Sequence, residues 1–181
     1  MSAHAAAPQT LPAGDYRLSA ESLRRIERET AKYPAEQRQS AVLAALAIAQ
    51  EQLGWLPAVV QEEVAAVLQM APVAVYEVAT FYHMFNLSPV GRHKITVCTN
   101  LPCALSGANA AARRLQQKLG IGFGQTTGDG AFTLTQGECM GACGDAPVLI
   151  VNDRQMCSFM DESAIDALLA TLAADTAKPA R

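Results

Sequence analysis

The residues of this 181-residue chain whose types and spacing could do chemistry are its five cysteines, Cys98, Cys103, Cys139, Cys143 and Cys157. Four of them form two pairs, Cys98-x4-Cys103 and Cys139-x3-Cys143. Gly107 follows the first pair, and Gly137, Gly141 and Gly144 surround the second. Glycine lets the backbone approach closely and turn its N–H groups toward a charged object. Neither loop carries Lys or Arg, so backbone dipoles would stabilise an anionic thiolate centre there and tune its potential. Three chemistries compete. A structural zinc site takes four cysteines, usually in C-x2-C pairs, although spacings of up to four occur. A dithiol oxidoreductase needs C-x-x-C, which the chain lacks. An iron–sulfur centre reads best: four ligands at wider spacing suit [2Fe–2S], and the close cysteine run of a [4Fe–4S] site is absent. Core burial explains any single cysteine but explains poorly four in paired, glycine-rich loops. Cys157 stands outside the pairs and reads as a small, semi-buried residue.

Two loops can share a centre only if the elements before them end at the same place. His93 to Val97 alternates like a short strand and runs into Cys98, and Ala131 to Thr135 alternates again before the second pair. Leu105 to Leu119 between them reads as a helix with Gly120 just past its end. A strand–helix–strand order predicts a parallel pair, whose C-terminal ends share one edge of the sheet, the place where open α/β sheets put ligands. Val148 to Val151, the turn Asn152-Asp153-Arg154 and Gln155 to Phe159 read as a hairpin. Asp161 then caps a last helix with Ile165, Leu168, Leu169 and Leu172 inward. This half is a small α/β layer.

The preceding half has a different grammar. Ser19 caps a first helix that ends before Pro34 and carries Leu23 and Ile26 on one side. A second helix is expected from about Glu36 to Leu53, with Val42, Leu46, Ala49 and Leu53 on one face and Gly54 past its end. Pro57 opens a third, with Val60, Val64, Val67 and Leu68 inward, and Pro72 a fourth running to about Phe85. Short connections imply a small bundle. The apolar residues from Val75 to Phe85 go nearly all round their helix, so a single buried stripe cannot absorb them. They are expected to be core and partner contact, and His83 among them a core or interface residue. The expected layout is a tail over 1–16, a helical bundle over 17–90, an α/β domain over 91–174 and a tail over 175–181.

Composition narrows the classes. Half of the residues are apolar and 17% are charged, which excludes a wholly disordered chain, and a net charge of −3 argues against a nucleic-acid binder. The longest apolar run, Ala41 to Ala49, is too short to span a bilayer. Residues 1–12 carry no Lys or Arg and do not read as a signal peptide. A reducing compartment is therefore expected, where clustered cysteines point to metal or redox chemistry. Gly120-Ile121-Gly122-Phe123-Gly124 looks like a phosphate loop but follows a predicted helix, whereas a dinucleotide fingerprint must follow a strand. No NADH or flavin site of the chain's own is expected.

The segments C-T-N-L-P-C (98–103) and G-E-C-M-G-A-C-G-D-A-P (137–147) resemble the family of the small [2Fe–2S] subunit of NADH–quinone oxidoreductase (complex I), as do V-Y-E-V-A-T-F-Y-H-M-F (75–85) and L-G-W-L-P (53–57). The resemblance covers about Ser19 to Ala173. It implies an α+β fold, a helical bundle followed by a thioredoxin-like ferredoxin domain. It implies one [2Fe–2S] cluster on Cys98, Cys103, Cys139 and Cys143, no catalytic residue, and a partner flavoprotein subunit that binds FMN and NADH. Such a chain is an electron-transfer component of the oxidoreductase, held through the complex on the cytoplasmic side of the inner membrane. Related subunits occur in NAD-linked hydrogenases and formate dehydrogenases, and the motifs do not separate them. A zinc-stabilised interaction module is the remaining alternative. The resemblance leads one to expect a β-branched residue where this chain has Gly137 and an aromatic one where it has Cys157.

Overall fold

The computed structural model describes residues 16–175. The expected tails, apart from Tyr16 and Asp175, lie outside the described residues, as does the stretch read for a signal peptide. The chain divides into two compact units, one up to Ser88 and one from Pro89. The first contains α1 (Ala20–Thr30), α2 (Val42–Leu53), α3 (Ala58–Leu68) and α4 (Pro72–Phe81). The second contains, in order, β1 (His93–Cys98), α5 (Leu101–Leu105), α6 (Ala108–Leu119), β2 (Gln125–Thr126), β3 (Phe132–Gly137), β4 (Leu149–Val151), β5 (Gln155–Cys157) and α7 (Glu162–Ala174). Helices and a five-stranded mixed sheet make the α+β class that the sequence predicts. No single helix among the described residues is long and apolar enough to cross a membrane. The apolar pair α3 and α4 turns by 119° between its members.

In the helical unit the Ser19 hydroxyl caps α1 by accepting from the Ser22 N–H at 3.1 Å. Ile26, Leu46, Leu56, Val60, Val64, Leu68 and Val75 close a common core, each such side chain contributing roughly 1.5–3 kcal/mol by leaving water. Two helix limits differ from expectation. Residues 35–41 wind as a 3-10 segment with Gln37 off helical geometry (φ −114°, ψ 24°), so α2 begins at Val42 rather than Glu36. Helix α4 stops at Phe81 because Tyr82 turns extended (φ −92°, ψ 119°). The chain beyond it is held by Gln50 of α2, whose side-chain N–H donates to the Met84 carbonyl at 2.8 Å and whose oxygen accepts from the Asn86 N–H at 2.6 Å. His83 therefore sits after the helix and is exposed, not in a core.

The α/β unit has strand order β2-β3-β1-β4-β5. Strands β1 and β3 are the expected parallel pair, with Ile95 opposite Leu134 and Cys98 opposite Gly137. The hairpin β4–β5 turns through Asn152 and Asp153, both with positive φ (55° and 56°), the mirror-image turn that matches strand twist. Lys94 anchors this turn: its N–H donates to Asn152 Oδ1 at 3.0 Å and its buried ammonium pairs with Asp153 at 3.0 Å. Ile95, Val97, Leu115, Leu134, Leu149 and Ile165 form the core between sheet and helices. Arg114 of α6 grips Asp166 of α7 through both of its forked donors. The helix expected over Leu105–Leu119 is broken: Gly107 at φ 99° separates α5 from α6. The short edge strand β2 has no counterpart among the expected elements, and β5 ends at Cys157 rather than Phe159 because Phe159 takes a positive φ of 53°.

Gly91 leads into β1 where a side chain would not fit. A Cβ there would lie 2.9 Å from both the Gly130 carbonyl oxygen and the Phe132 carbonyl carbon, which are backbone and cannot swing aside. Gly91→Ala should therefore destabilise the protein by about 1–3 kcal/mol. Gly128→Ala, where nothing lies within 4 Å, should change stability by less than about 0.5 kcal/mol. Denaturant unfolding of both variants checks the difference.

Candidate metal centre

Each cysteine of the two pairs occupies a distinct local structure. Cys98 is the last residue of β1 and Cys103 the third of α5. Cys139 lies two residues past β3, and Cys143 opens a single 3-10 turn, Cys143–Asp145. The sequence places Cys103 in a loop, but Pro102 in the first turn and Asn100 before it start a short helix instead, because proline's fixed φ suits that position. Parallel pairing brings both segments out at one edge: the Cys98 N–H donates to the Val148 carbonyl at 3.1 Å, and the Thr99 N–H to the Gly137 carbonyl at 3.1 Å. Asp145 ties the second segment down, its carbonyl accepting from the Phe159 N–H at 2.8 Å and its carboxylate from the Ser158 hydroxyl at 3.1 Å.

The four thiols meet as two pairs. Cys103 neighbours Cys98, and Cys143 neighbours Cys139, while across the gap the charge of Cys98 acts on Cys143 and that of Cys143 on Cys103. Burial, then the Cys98 thiol beside it, pushes the Cys103 thiol up to about 11. Desolvation, then the charge of Cys139, raises Cys143 as well. Metal ligation needs thiolates, so a cation at this edge must offset those penalties. No three His, Cys, Asp or Glu side chains among the described residues converge on a point that could hold one ion. Four thiols in two adjacent pairs suit a binuclear centre, with two thiolates for each metal.

The surroundings differ between the pairs. Cys98 and Cys103 are each 1% exposed and lie in an apolar pocket with Ala108 and Val148, against which Met140, Ala142 and Ala146 pack. Cys139 and Cys143 are exposed. Gly141, at φ 73°, aims its N–H at Cys139 Sγ (3.4 Å), the kind of dipole anticipated from the glycines. The Cys98 thiol donates to the Glu138 carbonyl at 2.9 Å. Leu101, Leu105 and Phe159 stand exposed on the segments around the site. These contributions from Met140, Val148 and Leu105 have no motif of their own in the sequence.

Cys157 is not brought to this edge. It pairs with Leu149 across the β4–β5 hairpin and is buried in the sheet core, where desolvation raises its thiol. The Gly120–Gly124 stretch connects α6 to β2, with the Gly122 N–H donating to Gln125 Oε1 at 2.7 Å and the Gly124 N–H to the Leu134 carbonyl at 2.8 Å. It opens no helix.

A family model for the thioredoxin-like [2Fe–2S] ferredoxin matches residues 26–173. An NADH-quinone oxidoreductase subunit of the E type from Rhizobium meliloti (strain 1021) is 47% identical over 144 residues, covering 80% of this chain and 84% of that protein. The E-type subunit of Rickettsia bellii (strain RML369-C) is 49% identical over 123 residues, 67% of this chain and 74% of the relative. Mitochondrial NADH dehydrogenase [ubiquinone] flavoprotein 2 of Dictyostelium discoideum is 42% identical over 74% of this chain, which spans only 54% of it. Among solved structures, an NAD+-reducing [NiFe]-hydrogenase in the H2-reduced state aligns with TM-score 0.64 and 28% identity over 74% of this chain, which spans 22% of that chain. With its sheet order, its paired cysteine segments and a family match across most of its length, the chain belongs to the thioredoxin-like [2Fe–2S] ferredoxin family, alongside the E-type subunits of NADH-quinone oxidoreductase.

Proposed function

We propose that this chain is an electron-transfer subunit of an NADH-quinone oxidoreductase, in which one [2Fe–2S] cluster exchanges single electrons with the FMN of a partner flavoprotein subunit. Cys98 and Cys103 would hold one iron and Cys139 and Cys143 the other. The observation that carries this is the pairing of four thiols at one sheet edge in a chain of this family. The protein's own part is to keep the cysteines oriented by the β1–β3 pairing, to exclude water from Cys98 and Cys103, and to offer N–H dipoles such as that of Gly141. The redox chemistry is the cofactor's. NADH and FMN belong to the partner in this reading, and the chain has no substrate site.

The division of the chain near residue 90 separates, in the same reading, a docking bundle (17–90) from the cluster domain (91–174). Helix α4 turns Val75 and Ala79 into its core and leaves Val73, Tyr76 and Phe81 exposed, with Tyr82 just beyond. Large exposed apolar side chains gathered on one helix are the kind of surface that marks interfaces, and we assign them to the flavoprotein. The chain would sit on the cytoplasmic side of the membrane through that complex. One observation favours a second reading, the equivalent subunit of an NAD-linked hydrogenase or formate dehydrogenase: the likeness to the NAD+-reducing [NiFe]-hydrogenase. The genes beside this one discriminate between the two.

Serine replacement of Cys98, Cys103, Cys139 or Cys143 should abolish or severely reduce bound iron and visible absorbance, while Cys157→Ser keeps both. Loss in Cys157→Ser with retention in Cys139→Ser would overturn the ligand set. The purified, flavin-free chain should not oxidise NADH with ferricyanide as acceptor; sustained turnover would reveal a nucleotide site in this chain. Phe81→Asp with Tyr76→Asp should cut co-purification with the flavoprotein at least tenfold (about 1.4 kcal/mol) and leave the iron content unchanged. Equal recovery would remove α4 from the interface.

A further inference from the structure

We propose that Gly137 is a positioning residue: by lacking a side chain it seats Met140 against the buried half of the cysteine site, and Met140 controls how much water reaches those sulfurs. This rests on the ligand reading above and concerns residues outside the ligand set. Gly137 is buried, ends β3 and lies opposite Cys98 in the strand register. It is not among the glycines with positive φ, so conformation does not demand glycine here. Space does. A Cβ at this position would stand 2.8 Å from Thr96 Cγ2, closer than carbon atoms pack, and 3.0 Å from Met140 Cε, tight enough that the Met140 side chain must give way.

The two neighbours differ in their freedom to move. Thr96 is buried in the central strand, and its hydroxyl is held by the Thr135 hydroxyl at 2.8 Å. Turning its methyl away would break that bond, and a β-branched side chain has few rotamers to turn to. Met140 is unbranched and adaptable. A side chain at 137 therefore presses on Thr96, the nearer contact, and displaces Met140, the neighbour that can give way. That residue packs on the pocket of Cys98, Cys103, Ala108 and Val148, so its departure opens the buried thiolates to solvent. One-electron reduction adds negative charge to an already anionic centre. Water stabilises the reduced form more than the oxidised one, and solvent exposure is a recognised lever on such potentials.

The test is a mediated titration of the full-length, cluster-loaded chain with dithionite as electron donor, followed by EPR. Gly137→Val and Met140→Ala should each raise the midpoint potential, so that at a fixed poise the reduced-to-oxidised ratio rises about tenfold, equivalent to about 59 mV for one electron. Met140→Leu, which keeps an apolar cover, should stay within about threefold of the parent. Combining Gly137→Val with Met140→Ala should shift the potential no further than Met140→Ala alone, since both act through one side chain. Unchanged midpoints in the loaded single variants, or additive shifts in the double variant, would overturn the proposal. If Gly137→Val does not fold, an unchanged midpoint in Met140→Ala suffices to overturn it. A parent chain that takes up no [2Fe–2S] centre would instead overturn the ligand reading on which it rests.

Discussion

Everything at the cysteine edge depends on the parallel pairing of β1 with β3. Each strand delivers one cysteine segment, and six register pairs from His93–Phe132 to Cys98–Gly137 fix where both strands end. A side chain in a sheet alternates faces with a period of two, so slipping this register by one residue would send Cys98 to the opposite face. The pairing is flanked on both sides, by β2 next to β3 and by β4 next to β1, so neither strand has a free edge along which to slide. Lys94 reinforces it from within β1 by holding the β4–β5 turn with its N–H and its ammonium.

The edge so built is asymmetric. Two cysteines are buried under alanines, a valine and a methionine, and two face solvent. No Lys or Arg lies in either segment, and Glu138 and Asp145 add negative charge. A thiolate centre here has no cation within its own segments to favour it, so its stability rests on the metal and on oriented dipoles. The Gly141 N–H at Cys139 Sγ is one such dipole. Its positive φ is the reason for glycine there, whereas Gly137 is needed for space.

Much of this was legible in the sequence because it is written in local rules. Ser19 and Asp161 cap helices through their own side chains, and Gly54 and Gly120 end helices in the left-handed region. The parallel pair followed from the order strand, helix, strand. What was not legible depends on partners distant in the chain. Helix α4 stops early because Gln50, more than thirty residues away, captures the backbone at Met84 and Asn86. Two residues of β2 are too few to show a period. Gly107 falls inside the single helix read over Leu105–Leu119, because a lone glycine in a helical pattern does not by itself show a break. At the site, the spacing of the cysteines marked the pairs, but their unequal burial comes from Val148 and Ala108, which no motif connects to them.

The central claim is that this edge carries a binuclear iron–sulfur centre, and composition with spectroscopy of the full-length chain tests it most directly. Anaerobically purified protein, analysed for iron, acid-labile sulfide and zinc and then reduced with dithionite, should hold about two irons and two sulfides per chain. It should be red-brown, bleach on reduction and then give an EPR signal from one unpaired electron. A colourless protein with about one zinc per chain and no signal after dithionite would contradict the account.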